Sequence, residues 1–125
     1  MKTLEELQNM LWYLAVPYAG KAKLGFAQSN YYSAELMKRG IKLLAPISMT
    51  HPIHGALLDQ GINFPPEFWY EFDNILLARC DGLIVCGEWK KSKGCRQEMA
   101  LAEAMNMPVY EYNTFLKMIE KNDQK

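Results

Sequence analysis

A chain of 125 residues and 14.4 kDa has room for one compact domain, and its 50% hydrophobic and 22% charged residues exclude a disordered polymer. Its 14 Lys and Arg balance its 14 Asp and Glu, so the basic surplus of a DNA- or RNA-binding protein is missing. No polymeric nucleic-acid partner is expected, whereas a single nucleotide needs only one or two donors and stays allowed.

Residues 10–16 are a short apolar run closed by Pro17, and they predict a buried strand. Residues 17–23, with Gly20 among small side chains, read as a loop. Helix formers dominate 24–39, and Gly40 stands where a glycine stops a helix. Residues 41–45, closed by Pro46, predict a second strand. The stretch 47–65 is interrupted by Pro52, Gly55, Gly61 and Pro65, and is expected to be irregular. Pro66 suits the first turn of a helix reaching about Arg79.

Residues 82–86 predict a third strand and 88–91 a turn. Ser92 then caps a helix running to Asn106. Pro108 breaks that helix, 109–112 predict a fourth strand, and Thr114 caps a last helix through Met118 before a charged tail that frays. Strands alternating with helices long enough to cross back over a sheet predict an α/β fold. The expectation is a Rossmann-like (flavodoxin-like) parallel sheet of four to five strands with helices on both faces. Ligands in such sheets bind beyond the carboxyl ends of the strands, so the loops after Val16, Ala45 and Cys86 are the candidate positions.

Cys80, Cys86 and Cys95 are odd in number and lack CxxC spacing. They predict reduced thiols in a cytoplasmic protein rather than a disulfide framework. His51 and His54 have no cysteine or carboxylate partner at ligand spacing, so no metal and no cofactor are expected. Residues 1–9 lack the continuous apolar segment of a signal peptide, and nothing approaches the ~20 apolar residues of a membrane span.

Two carboxylates stand in apolar surroundings. On the helix from Ser92, the positions nearest Glu98 are Cys95, Leu101, Ala102 and Met105, which puts an acid in the stripe that faces the sheet. Such a residue is paired, reaches the helix edge, or is used in chemistry. Asp73 shares its helix face with Trp69, Tyr70, Leu76 and Leu77. Trp69 and Phe72 read as core, with one edge available to a pocket. Tyr13 is either a core tyrosine or a hydroxyl placed at the strand end. Ser92 and Gly94 bracket a helix start whose free amides suit an anion, although a serine N-cap is also ordinary helix chemistry. His51 has two readings, a ligand contact and a capping or solvated histidine.

The run Trp12 to Tyr18, the run Ser92 to Glu98 with Ala102, Pro108 and Val109, and Asp73 upstream of Asp81 together resemble the nucleoside 2-deoxyribosyltransferase-like superfamily. Within it the chain is most similar to an uncharacterised bacterial and phage branch, through Pro46 to Ile53 and through Phe68 and Trp69. The resemblance covers residues 10–112. It implies that Glu98 is the nucleophile that attacks the anomeric carbon. It also implies that Asp73 holds or protonates the departing base and that Tyr13 positions the sugar and Glu98. The serine at Ser92, with Gly94, implies a 5′-phosphate, hence a nucleoside monophosphate as the small-molecule partner. His51 and Trp69 are carried over as substrate contacts. Lys21 or Lys23 is available to a phosphate in a loop that lacks the arginine seen in relatives.

The expected function is therefore a nucleotide N-glycosidase or deoxyribosyltransferase. The alternative is a binding module that holds or sequesters a nucleotide, including a signalling nucleotide, without turnover. The residues Trp69, Tyr70, Phe72, Ile75, Leu76 and Leu77 make one helix apolar nearly all round, which predicts a homodimer or larger homo-oligomer. The resemblance implies that Tyr112 or Asn113 is lent to the neighbouring subunit's site.

Overall fold

The computed structural model describes residues 2–18 and 22–123. The elements are α1 (Leu4–Gln8), β1 (Leu11–Ala15), α2 (Ala22–Met37), β2 (Lys42–Leu44), α3 (Pro46–Asp59), α4 (Pro66–Ala78), β3 (Gly82–Val85), α5 (Lys93–Ala104), β4 (Val109–Glu111) and α6 (Tyr112–Asp123). The four strands form one parallel sheet in the order β2-β1-β3-β4, flanked by helices. The architecture is α/β and Rossmann-like. The chain leaves β1 to one side for β2 and returns on the other side for β3, so the switch in strand order lies between β1 and β3.

Side-chain alternation along β1 divides the core into two faces. Trp12, Leu14 and Val16 point one way, with Ile84 and Cys86, and are covered by Leu7 of α1, Leu36 of α2, and Phe115 and Ile119 of α6. Tyr13 and Ala15 point the other way, with Leu83 and Val85, toward Leu77 of α4 and Cys95 and Ala102 of α5. Short contacts fix the strand starts. The Leu11 amide donates to Asp81 Oδ2 at 2.9 Å while the Asp81 amide donates to the Leu11 carbonyl at 2.7 Å. Trp12 donates through Nε1 to the Leu7 carbonyl at 3.0 Å, tying α1 to the sheet. Thr3 and Glu6 close a capping box at the start of α1.

Three expectations are corrected. Of the stretch 47–65 only 60–65 is irregular, because Pro46 opens the 14-residue helix α3, which runs to Asp59 with Pro52 inside it. Proline at the first turn costs no hydrogen bond. Ile47, Thr50, His51, His54 and Leu57 recur at helical spacing on the inner side of α3, and packing against α2 outweighs the interior proline. Thr114 does not cap the last helix. It lies inside α6, which starts at Tyr112 and continues to Asp123 because Phe115 and Ile119 bury the same face. Phe72 is not core but 37% exposed, since α4 turns its Leu77 and Asp73 side inward and leaves Phe68, Phe72 and Ile75 on the outside. Gly20 and Lys21, read as part of a loop, lie outside the described residues.

The closest packing in the sheet is between the Trp12 indole and Gly82, its register partner on β3. A methyl group at Gly82 would overlap the six-membered ring, coming within 2.6 Å of Cε3. Gly82→Ala should therefore destabilise the protein by about 3 kcal/mol. Urea unfolding of both proteins checks this, and an unchanged midpoint would show that the indole is free to move aside.

Candidate active site

One large pocket, about 810 Å³, opens at the carboxyl end of β1, beside the start of α3 that follows β2. Its floor is Tyr13 to Val16, one wall is α5 with Ser92, Gly94, Cys95 and Glu98, and another is α4 with Trp69, Tyr70 and Asp73. The third wall is α3, which contributes Ile47, Thr50, His51 and His54. Tyr13, Asp73, Glu98, Ser92, Gly94, His51 and Trp69, all singled out in the sequence, thus line a single cavity. Asn113 does not. It is exposed in the first turn of α6 and borders a separate cleft of about 140 Å³ with Tyr32, Trp89 and Tyr112.

The electrostatics of the pocket are set by burial. Glu98 is desolvated and sits near Asp73, and both effects push its pKa up to about 8, partly offset by the Tyr13 hydroxyl. Burial alone raises Asp73 to about 6. Tyr13 is driven strongly upward by burial and by the two acids, so it stays a neutral phenol. Its hydroxyl approaches Glu98 closely enough to favour the charged carboxylate, yet it does not complete a well-formed hydrogen bond. Burial thus pushes both carboxyl groups above the ordinary carboxylate range, and the two titrate as a coupled pair. Helix spacing reveals that both acids are enclosed, but not how deeply each is covered.

The α5 start is arranged as its residues dictate. Ser92 Oγ accepts from the Cys95 amide at 3.2 Å, and its hydroxyl also lies within reach of the Cys95 sulfur. A Cβ at Gly94 would meet only Ser92 Oγ, at 3.9 Å, so the backbone is open to the pocket there. Burial lifts the Cys95 thiol to about 11, making it a packing group rather than a nucleophile. Among the described residues no Lys or Arg lines the pocket. Lys23 is exposed outside it. In the loop before Ser92, Lys91 pairs with Glu88 at 3.4 Å in solvent and Lys90 lies over the Trp89 ring. No group of three His, Cys, Asp or Glu among the described residues could hold a metal.

Reading 47–65 as irregular hid the third wall. Besides His51 that wall carries His54, and Tyr18 from the end of β1 and Phe64 beyond α3 border it. The spacing of Ile47, His51 and His54 along one helical face was the available signal. Tyr18 and His51 are joined by a hydrogen bond of 2.8 Å, and His51 stacks on Phe26 with ring centres 4.6 Å apart. His54 lies against Trp69, 5.1 Å between ring centres, and Phe64 stacks on Phe68 at 4.1 Å. His54 Nε2, Trp69 Nε1 and the Tyr13 hydroxyl are all sealed without a partner. Each such group costs on the order of 1–3 kcal/mol, and three on one cavity mark a site kept at the expense of stability.

Glu98 holds its proton in the folded state to higher pH than the unfolded chain, which releases it around the ordinary value of 4.5. Its contribution to stability therefore declines as pH rises from 4.5 to about 8. Asp73 acts in the same direction from 3.8 to about 6. Glu98→Gln should remove a pH-dependent loss on the order of 3 kcal/mol. Thermal melts at acid and alkaline pH read this directly. A wild type with the same pH slope as the variant would show that Glu98 is not desolvated.

Comparison with curated proteins finds no match. One family matches, described as a domain of unknown function (DUF1937), and it aligns with residues 11–114. That span runs from the first residue of β1 into α6 and takes in every wall of the pocket. The chain belongs to this family of domains of unknown function.

Proposed function

We propose that the protein cleaves the N-glycosidic bond of a nucleoside 5′-monophosphate, as a hydrolase or a deoxyribosyltransferase of the nucleoside 2-deoxyribosyltransferase-like kind. The observation that carries the reading is the pair Glu98 and Asp73, two enclosed carboxyl groups lining one cavity beside the Tyr13 hydroxyl. A glycosidic bond breaks through an oxocarbenium-like state, which a nearby carboxylate stabilises or traps as an ester. The departing base needs a proton at the same moment.

One proton on two acids supplies both needs. As substrate binds, Asp73 delivers the proton to the leaving nitrogen while Glu98 stands as the carboxylate. The Glu98 carboxylate forms a bond to the anomeric carbon as the carbon–nitrogen bond breaks. Water, or a second base in a transfer, then attacks the anomeric carbon. The ester opens, Glu98 is released as a carboxylate, and the proton of the attacking group returns to the acid pair. Tyr13, held neutral, orients Glu98 and the sugar. Trp69 offers a flat wall to the base, and the Ser92 hydroxyl with the open Gly94 amide suits a phosphate at the positive end of α5.

Binding without turnover is the second reading. It is favoured by the burial of Glu98, which raises its pKa and so disfavours the nucleophilic carboxylate form. Incubation with a panel of ribo- and deoxynucleotides, followed by chromatography for free base and sugar phosphate, separates the two. Glu98→Ala should abolish base release with the fold retained, and equal turnover by variant and wild type would remove Glu98 from the mechanism. The dependence of kcat/KM on pH should be bell-shaped, with limbs near the pair's values of about 6 and about 8. Ser92→Ala should narrow the preference for monophosphate over nucleoside by ~1.5–3 kcal/mol.

The occupant proposed for the outer face of α4 is a second copy of the chain. Phe64, Phe68 and Phe72 form a run of neighbouring exposed rings, extended by Ile75 at 59% exposure. The run continues into the pocket wall through the contacts of Phe64 and Phe68 with Trp69. A net charge of zero sets no long-range repulsion against self-association. Light scattering should give twice 14.4 kDa, and Ile75→Glu should return it to one chain. A wild type that scatters as one chain with full activity would defeat the assignment.

A further inference from the structure

Tyr18 and His51 form a second polar pair on the pocket wall, apart from the two acids. Tyr18 follows β1, and His51 stands on α3. The phenol oxygen lies 2.8 Å from His51 Nδ1. Phe26 of α2 covers one face of the imidazole, the planes inclined by 27°. The Tyr18 ring meets its edge at 81°. Of the two ring nitrogens, Nδ1 is therefore engaged. Nε2 has no partner among the described residues and, unlike that of His54, is not sealed.

The direction of the bond follows from acid–base chemistry. An unprotonated imidazole nitrogen is a much stronger base than a phenol oxygen, and a phenol is a better acid than the N–H of neutral imidazole. The favoured arrangement is O–H of Tyr18 donating to Nδ1, which leaves the proton of neutral His51 on Nε2. Gly25 of α2 makes this placement possible. A Cβ there would lie 2.8 Å from Tyr18 Cδ2 and 3.1 Å from the Pro17 carbonyl oxygen, so any side chain would push the tyrosine ring out of position.

We infer that Tyr18 is a positioning residue that fixes His51 as an Nε2–H donor to an acceptor oxygen on the sugar or phosphate end of the bound substrate. The inference rests on the glycosidase reading for the identity of that substrate, and on the wall geometry alone for the tautomer. It also gives a cavity without a lining Lys or Arg a directed side-chain donor on the wall formed by α3.

Nitrogen-15 NMR of the whole protein decides the tautomer without any ligand. His51 should show protonated Nε2 and bare Nδ1, and Tyr18→Phe should shift it toward a mixture of the two forms. A wild-type His51 protonated on Nδ1 would overturn the inference. Kinetics on a cleaved nucleotide test the contact. Tyr18→Phe should raise KM roughly tenfold, the loss of about one hydrogen bond, with a smaller change in kcat. His51→Gln keeps an N–H donor and has no tautomer to set, so adding Tyr18→Phe to it should change KM little. An equal Tyr18→Phe effect in both backgrounds would place the hydroxyl's action elsewhere and sink the proposal. Running nucleoside beside monophosphate separates the acceptors: a KM change confined to the monophosphate marks a phosphate oxygen, and one shared by both marks the sugar. Wild-type failure to cleave any nucleotide would retract the glycosidase reading, while the NMR result still decides the tautomer.

Discussion

Burial of the Trp12 indole over Gly82 holds β1 and β3 in register, and the site depends on that register. With Trp12 committed to the face of α1 and α6, alternation sends Tyr13 to the face of α4 and α5. The same step places Tyr13 opposite Leu83, at the point where the strand order switches. A slip of one residue would exchange the two faces and put the indole where the two acids stand.

The two faces are treated differently by the sequence. The Trp12 side is filled by apolar side chains from α1, α2 and α6, with Trp12 and Phe115 in edge contact at 4.8 Å. It supplies stability. The Tyr13 side stops short of full packing, because Asp73 and Glu98 occupy helix positions that apolar residues would otherwise take. The resulting cavity keeps carboxyl groups out of water, and it leaves the Tyr13 hydroxyl, His54 Nε2 and Trp69 Nε1 without partners. A chain of this size tolerates that expense only with a well-packed opposite face.

Desolvation then sets the chemistry. It raises both Glu98 and Asp73 above the ordinary carboxylate range, so that an acid and a carboxylate can coexist there. The α3 wall answers with histidine side chains instead of Lys or Arg. Tyr18 and His51 are ordered by a phenol–imidazole bond, and the α5 start adds backbone amides. Such a site recognises oxygen acceptors by direction more than by charge.

The sequence by itself determined the strands, the parallel α/β class, and the presence of Glu98 and Asp73 on inward-facing helix positions. Those features are local. Apolar run length, helix periodicity and caps such as Ser92 act within a few residues and need no tertiary partner to be read. It also placed Ser92, Gly94, Tyr13, His51 and Trp69 among the site candidates, and these line the pocket. Only the tertiary structure decided that 46–59 is a helix, because the packing of α3 against α2 outweighs Pro52 and Gly55. The same holds for the outward face of Phe72, the separate cleft at Asn113 and the bond from Tyr18 to His51. The upward pKa shift of the two acids also belongs here, since desolvation depends on how many distant residues close over each carboxyl group, and that number is a property of the folded chain alone.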